Sequence, residues 1–222
     1  MSNRLSPTAR LYFLSLLYHR PYGLSMRRKD LAIALEKVPP FEHPDPALEQ
    51  YPTPANLAAE IVYEAYAAGD IAGLKVMDLG CGTGMFSLAA WLMGAGAVVG
   101  YDISAEALAA ATRCAAEFGA PIEFKQADVR DVQEGADTVL MNPPFGSQKR
   151  NADRPFLEKA MACAECVYSL HMADTLDFVR RFAAEHGRQV ASYKIYKYEI
   201  PHTFSFHTKA KQTVEIVAVV IR

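Results

Sequence analysis

The chain has 222 residues, enough for one α/β domain of about 180–200 residues plus a short extension. Its composition, 51% hydrophobic and 22% charged, is that of an ordinary globular protein and excludes a low-complexity or repeat chain. A net charge of −2 excludes a global basic field, so local patches or a partner must hold any nucleic-acid substrate.

The chain opens on an apolar run, Leu11 to Tyr18, behind Arg4 and Arg10. The run is too short to span a bilayer, and no small-x-small cleavage site follows it. Met26 then opens a helical pattern carrying Leu31, Leu35 and Val38. We therefore expect residues 1–25 to be an extension upstream of a natural start at Met26. Residues 26–53 are expected to form an N-terminal helix and a covering segment, with the main domain over 54–222. Arg27-Arg28-Lys29, Lys149-Arg150, Arg180-Arg181 and Lys209-x-Lys211 are candidate basic patches, each of which, taken alone, reads more readily as a solvated surface cluster.

Pro39 to Pro46 reads as a connector without helix potential. A helix follows at about 54–68, with Leu57, Ile61, Tyr63 and Ala65 as core-facing candidates. From Lys75 onward, short apolar runs at 75–79, 97–101, 121–126, 136–141 and 165–170 read as strands. They alternate with helical segments near 84–93, 104–118, 155–164 and 174–186. Such alternation predicts a parallel sheet covered on both faces. The tail breaks the rhythm: Gln189–Glu199 and Thr213–Ile221 both read as strands, with only a loop rich in His, Phe and Lys between them. The expected fold is α/β and Rossmann-like, a seven-stranded, mostly parallel sheet closed by a C-terminal antiparallel hairpin. That hairpin points to class I methyltransferases rather than dinucleotide dehydrogenases.

Val76 to Gly84 reads as a strand running into a glycine-rich turn that opens a helix. Gly80 and Gly82 let backbone approach a ligand, and Gly84 permits close helix packing. Asp78, Asp102 and Asp128 stand at the ends of three successive strands. Asp78 suits a ligand with a cationic amino-acid end, whereas it would repel a pyrophosphate. Asp102 is placed to accept ribose hydroxyls and Asp128 an adenine amino group. The expected cofactor is S-adenosylmethionine rather than NAD, with Ile103 and Val129 beside the acids. A Walker lysine is missing, which excludes a P-loop NTPase.

Asn142-Pro143-Pro144-Phe145 follows the fourth apolar run. Two prolines fix φ, remove two N–H donors and bias Asn142 towards extended backbone, so the loop is stiff. The Asn142 carboxamide and the Asn142 and Pro143 carbonyls offer acceptors, and Phe145 offers a flat face. Acceptors beside an aromatic suit a planar group carrying an NH2. An [N/D/S]-P-P-[F/Y/W] tetrapeptide marks methyltransferases of nitrogens conjugated to a π-system; otherwise it is a rigid turn with a core Phe.

Cys81, Cys114, Cys163 and Cys166 form no disulfide framework, because Cys81 sits inside the glycine motif; a reducing, cytoplasmic setting is expected. Cys163-x-x-Cys166 lacks the second ligand pair of a zinc site, so buried structural thiols and no bound metal are expected.

Leu48-Glu49-Gln50-Tyr51-Pro52-Thr53, the Asp78–Gly82 turn, Asp102, Asp128-Val129 and Asn142–Gly146 occur together here, followed by Tyr168-Ser169-Leu170-His171 and Phe206-His207-x-Lys209. Over residues 27–222 this pattern closely resembles the methyltransferase-like protein 5 family, small-subunit ribosomal RNA N6-adenosine methyltransferases, and its archaeal relatives. The resemblance implies that Gln50 and Thr53 cover the cofactor. It also matches Gly80, Thr83, Met85, Asp102, Asp128, Val129 and Asn142 to cofactor-contact positions. Family members often carry Cys at the position of Thr83 and an aliphatic residue at that of Met85.

The resemblance further implies a small zinc-binding methyltransferase activator that adds a strand to a sheet edge. Asn142 to Phe145 would form the catalytic loop, with the target base stacked on Phe145. Lys149, Arg150, Phe204, Phe206, His207 and Lys209 are the candidate RNA contacts, with His202 a further one. His171, at a strand end, reads as structural. Rival acceptors for the same chemistry are a protein glutamine N5 or a guanine N2 of ribosomal RNA.

Overall fold

Lys75–Leu79 (β1), Thr138–Met141 (β4) and Cys166–Met172 (β5) are buried along nearly their whole length, as strands covered on both faces must be. They belong to the computed structural model of the chain, which describes residues 26–146, 151–201 and 211–222. Residues 1–25, Lys149, Arg150, His202, Phe204, Phe206, His207 and Lys209 lie outside the described residues. Ala97–Asp102 (β2) and Glu123–Gln126 (β3) complete the parallel part, and Val190–Pro201 (β6) and Lys211–Ile221 (β7) form the antiparallel hairpin. The seven-stranded sheet runs β3-β2-β1-β4-β5-β7-β6, so the order reverses between β1 and β4. At such a switch point a crevice opens outside the carboxyl ends of the strands.

Side-chain alternation sorts the core into two layers. Val76, Val98, Leu140 and Tyr168 meet helices Arg28–Leu35 (α1), Ala55–Ala67 (α2), Met85–Leu92 (α3) and Ala105–Phe118 (α4). Met77, Val99, Val139 and Val167 face the other way, onto Arg154–Cys163 (α5) and Leu176–Glu185 (α6). None of the described helices is long and apolar enough to cross a membrane.

Two expected strands start late for local reasons. At the fourth strand, the Ala136 N–H is taken by the Cys163 carbonyl, and the Asp137 carboxylate accepts from the Lys75 N–H, so pairing begins at Thr138. At the third, Pro121 has no N–H, and the Ile122 N–H turns back to Ala120. The connector also contains a 3-10 turn, Pro46–Leu48, capped by Asp45 through the Ala47 N–H at 2.8 Å.

The basic patch at the start of α1 is partly neutralised, since Arg27 pairs with Asp30 at 2.8 Å and Arg28 with Glu60 at 3.2 Å. Arg180 pairs with Asp177 at 3.5 Å and lies over the Tyr193 ring. Cys163 ends α5 and Cys166 begins β5, where burial pushes its thiol up to about 12. Exposed Tyr193 and Ile195 stand on the outermost strand β6.

Candidate active site

The crevice at the switch point is a cavity of about 420 Å³, within the usual range for a small-molecule site. Asp78, Gly80, Gly82, Thr83 and Met85 line it. Asp102, Ile103, Asp128, Val129, Gln50, Thr53, Asn142 and Pro144 also line it. Thus residues predicted from five separate stretches of sequence meet at one cavity.

The glycine turn is shaped by what crowds it. Gly82 has φ +53°, and its N–H donates to Asp102 Oδ2 at 2.8 Å. A Cβ there would lie 2.8 Å from the Phe41 ring, so the turn and the connector can meet only without a side chain. Phe156 of α5 lies over Gly80 in the same way, a Cβ there falling 3.0 Å from its ring. Phe41 and Phe156 both line the cavity, and sequence reading missed them. A phenylalanine in a proline-rich connector and another in an amphipathic helix carry no local sign of a ligand.

Three carboxylates surround the cavity in different states. Asp78 is 1% exposed, and its Oδ2 accepts from the Ser87 N–H at 2.8 Å and the Ser87 hydroxyl at 2.6 Å. Burial pushes its carboxyl up to about 7, against the pull of both hydrogen bonds and helped by nearby Asp102. It therefore has a capping duty towards α3 besides facing the cavity. Asp102 is half-buried; burial raises its carboxyl, opposed by the Ser104 and Gly82 N–H groups. Asp128 caps the 3-10 turn Val129–Asp131 and takes the Arg130 guanidinium with both oxygens, at 2.9 and 2.6 Å. That pairing partner was not foreseen, and a ligand amino group approaching Asp128 meets Arg130 there.

The acceptor loop leaves β4 directly. Asn142 Nδ2 donates to Thr53 Oγ1 at 3.0 Å, while Asn142 Oδ1 is buried and has no hydrogen-bond partner among the described residues. Such an atom is costly unless a guest satisfies it. Pro143 is buried and is not among the lining residues. Phe145 packs partly on the core and borders a second, smaller notch of about 20 Å³. The notch shares Tyr51, Pro52, Thr53 and Asn142 with the large cavity, so Asn142 stands between the two. His171 is buried, with Nε2 2.7 Å from Ser169 Oγ and Nδ1 3.6 Å from Asp153.

The family described as the methyltransferase small domain matches residues 58–167. The chain is 35% identical to the rRNA N6-adenosine-methyltransferase METTL5 of Danio rerio, over 86% of this chain and 96% of that one. It is 36% identical to the corresponding enzyme of Drosophila melanogaster, over 86% and 94%. Among solved structures it is similar to a candidate RNA methyltransferase from Pyrococcus horikoshii, with 40% identity, a TM-score of 0.83, and coverage of 89% and 98%.

Proposed function

Because this chain belongs to the METTL5-type rRNA N6-adenosine methyltransferase family, we propose that it methylates the N6 nitrogen of an adenosine in small-subunit ribosomal RNA. The cofactor is S-adenosylmethionine, which when bound supplies an electrophilic methyl group on a sulfonium. The residues present fit it. The cavity has the volume, backbone lies open at the glycine turn, and no cation among the described residues pairs with Asp78, leaving that carboxyl for a cationic amino-acid end. In this reading Asp102 takes the ribose hydroxyls and Asp128 the adenine end, between Ile103 and Val129. Gln50 and Thr53 cover the site.

The buried, unpartnered Asn142 Oδ1 carries the proposal. An exocyclic adenine nitrogen is a poor nucleophile because its lone pair is delocalised into the ring. Asn142 Oδ1 and the Pro143 carbonyl accept its two hydrogens, favouring a pyramidal nitrogen with its lone pair turned towards the cofactor. Acceptors already in place stabilise the charge that develops there. Once alkylated the nitrogen is strongly acidic, so no dedicated base is required. The base enters unstacked or flipped, through the notch beside Phe145, which must widen to admit it.

The test is to incubate the protein with tritiated cofactor and total RNA or protein extract, then to digest the RNA to nucleosides. Label in N6-methyladenosine from small-subunit rRNA is expected; label in protein or in N2-methylguanosine alone overturns the reading. We also propose a small zinc-binding activator that adds a strand at a sheet edge, a reading supported by the exposed apolar side chains of β6. Co-purification with a raised melting temperature supports it, and full activity of the monomer alone at high temperature removes it.

A further inference from the structure

We infer that Glu49 and Thr53 are positioning residues for the reaction: they clamp the two ends of the Asn142–Phe145 loop and hold the Asn142 carboxamide in place. The inference rests on the reading of Asn142 given above. Pro143 and Pro144 have no N–H, so the first backbone donor beyond Asn142 is that of Phe145. That N–H donates to Glu49 Oε2 at 2.8 Å, and the Asn142 side chain donates to Thr53 Oγ1 at 3.0 Å. One short segment therefore holds the proline pair from both sides. Glu49 and Thr53 are 9% and 8% exposed, so neither contact is a solvated surface bond.

The segment is also strained. Glu49 sits at φ 50°, ψ 44°, the left-handed region; only Asn151 among the other described non-glycine residues has positive φ. That conformation ends the 3-10 turn, with the Glu49 N–H on the Pro46 carbonyl at 3.1 Å, at a backbone cost that a glycine would not carry. In exchange its carboxylate reaches the Phe145 N–H. Strain held by a buried contact to a reactive loop points to positioning.

Thr53 holds the carboxamide itself. With Nδ2 held by Thr53, Oδ1 is the end left for the guest.

The experiment compares Thr53→Val with Thr53→Ser, and Glu49→Ala with Glu49→Gln, in kcat, RNA KM and cofactor affinity by calorimetry. Nitrogen-15 NMR follows the Asn142 side-chain amide, assigned by its loss in Asn142→Asp. We expect Thr53→Val to lower kcat at least about tenfold, as misplaced reacting groups do. Because Thr53 also covers the cofactor, cofactor affinity should fall, but by much less than kcat, and the Asn142 amide signal should move. Thr53→Ser and Glu49→Gln keep the acceptors and should retain most of kcat, unlike Glu49→Ala. An unchanged kcat in Thr53→Val overturns the inference, as does a loss of cofactor affinity equal to that in kcat. If the wild type methylates no RNA, the functional reading falls; the clamp itself then stands or falls on whether the amide signal moves in Thr53→Val.

Discussion

Two buried aspartates flank the same strand and are treated in opposite ways. Asp70, before β1, accepts from Tyr168 Oη and the Arg222 guanidinium, both at 2.6 Å, while its carbonyl takes the Thr138 hydroxyl. Asp78, near the other end of β1, has only the neutral donors of Ser87 and a like charge in Asp102 nearby. The first ties the amino end of β4 and the first half of β5 to the carboxyl end of β7 and has a counter-ion. The second faces a cavity without one. An acid that holds a fold is neutralised by the protein, and an acid meant for a ligand is left for the ligand to neutralise.

The sharpest way to isolate the cavity end is Asn142→Ala. It should lower kcat by about 10²–10³-fold, the usual cost of a lost preorganised group, with cofactor affinity and melting temperature nearly unchanged. Equal losses in calorimetry and in a methylation assay would refute that division of labour.

Next, Asp78→Asn should weaken cofactor binding by about 30-fold or more in calorimetry, as loss of a charge partner does. It should also change the pH profile of stability. The folded carboxyl titrates near 7 against 3.8 when unfolded, so the folded state holds the extra proton between those values. Stability is then lost as pH rises from about 4 to about 7, and denaturant titrations of Asp78→Asn should lack that slope. A wild type whose stability rises over this window would place the Asp78 charge elsewhere.

At the opposite end, Asp70→Asn should cost about 1–3 kcal/mol of unfolding free energy, discounted because Arg222 is half-exposed, with cofactor affinity untouched. A change in affinity there would break the contrast between the two aspartates. The smallest effect is expected for Phe145→Leu. It keeps an apolar side chain but loses part of a stacking contact worth about 1–3 kcal/mol, so the RNA KM should rise several-fold with cofactor affinity unchanged.

Much of this contrast is legible in the sequence, for physical reasons. Strands covered on both faces must be apolar throughout, so β1, β4 and β5 announce themselves, and a tail without a helix pattern can only return as a hairpin. The acids at strand ends and the proline-stiffened loop are local chemistry and can be read locally. The contacts that complete the site are not local. Phe41 over Gly82 and Glu49 reaching the Phe145 N–H each depend on how distant segments pack. A left-handed glutamate carries no signature in composition, and the Asp70 network joins residues that no periodicity links.

The Phe41 ring that crowds Gly82 rides on a connector held down by exposed contacts. Glu42 reaches Arg113 at 3.4 Å, and His43 reaches Glu106 at 3.0 Å. Exposed pairs of this kind are weak and easily screened. The latch over the cavity is therefore far cheaper to open than the sheet beneath it. Raised ionic strength is expected to loosen this connector before it loosens the sheet beneath it.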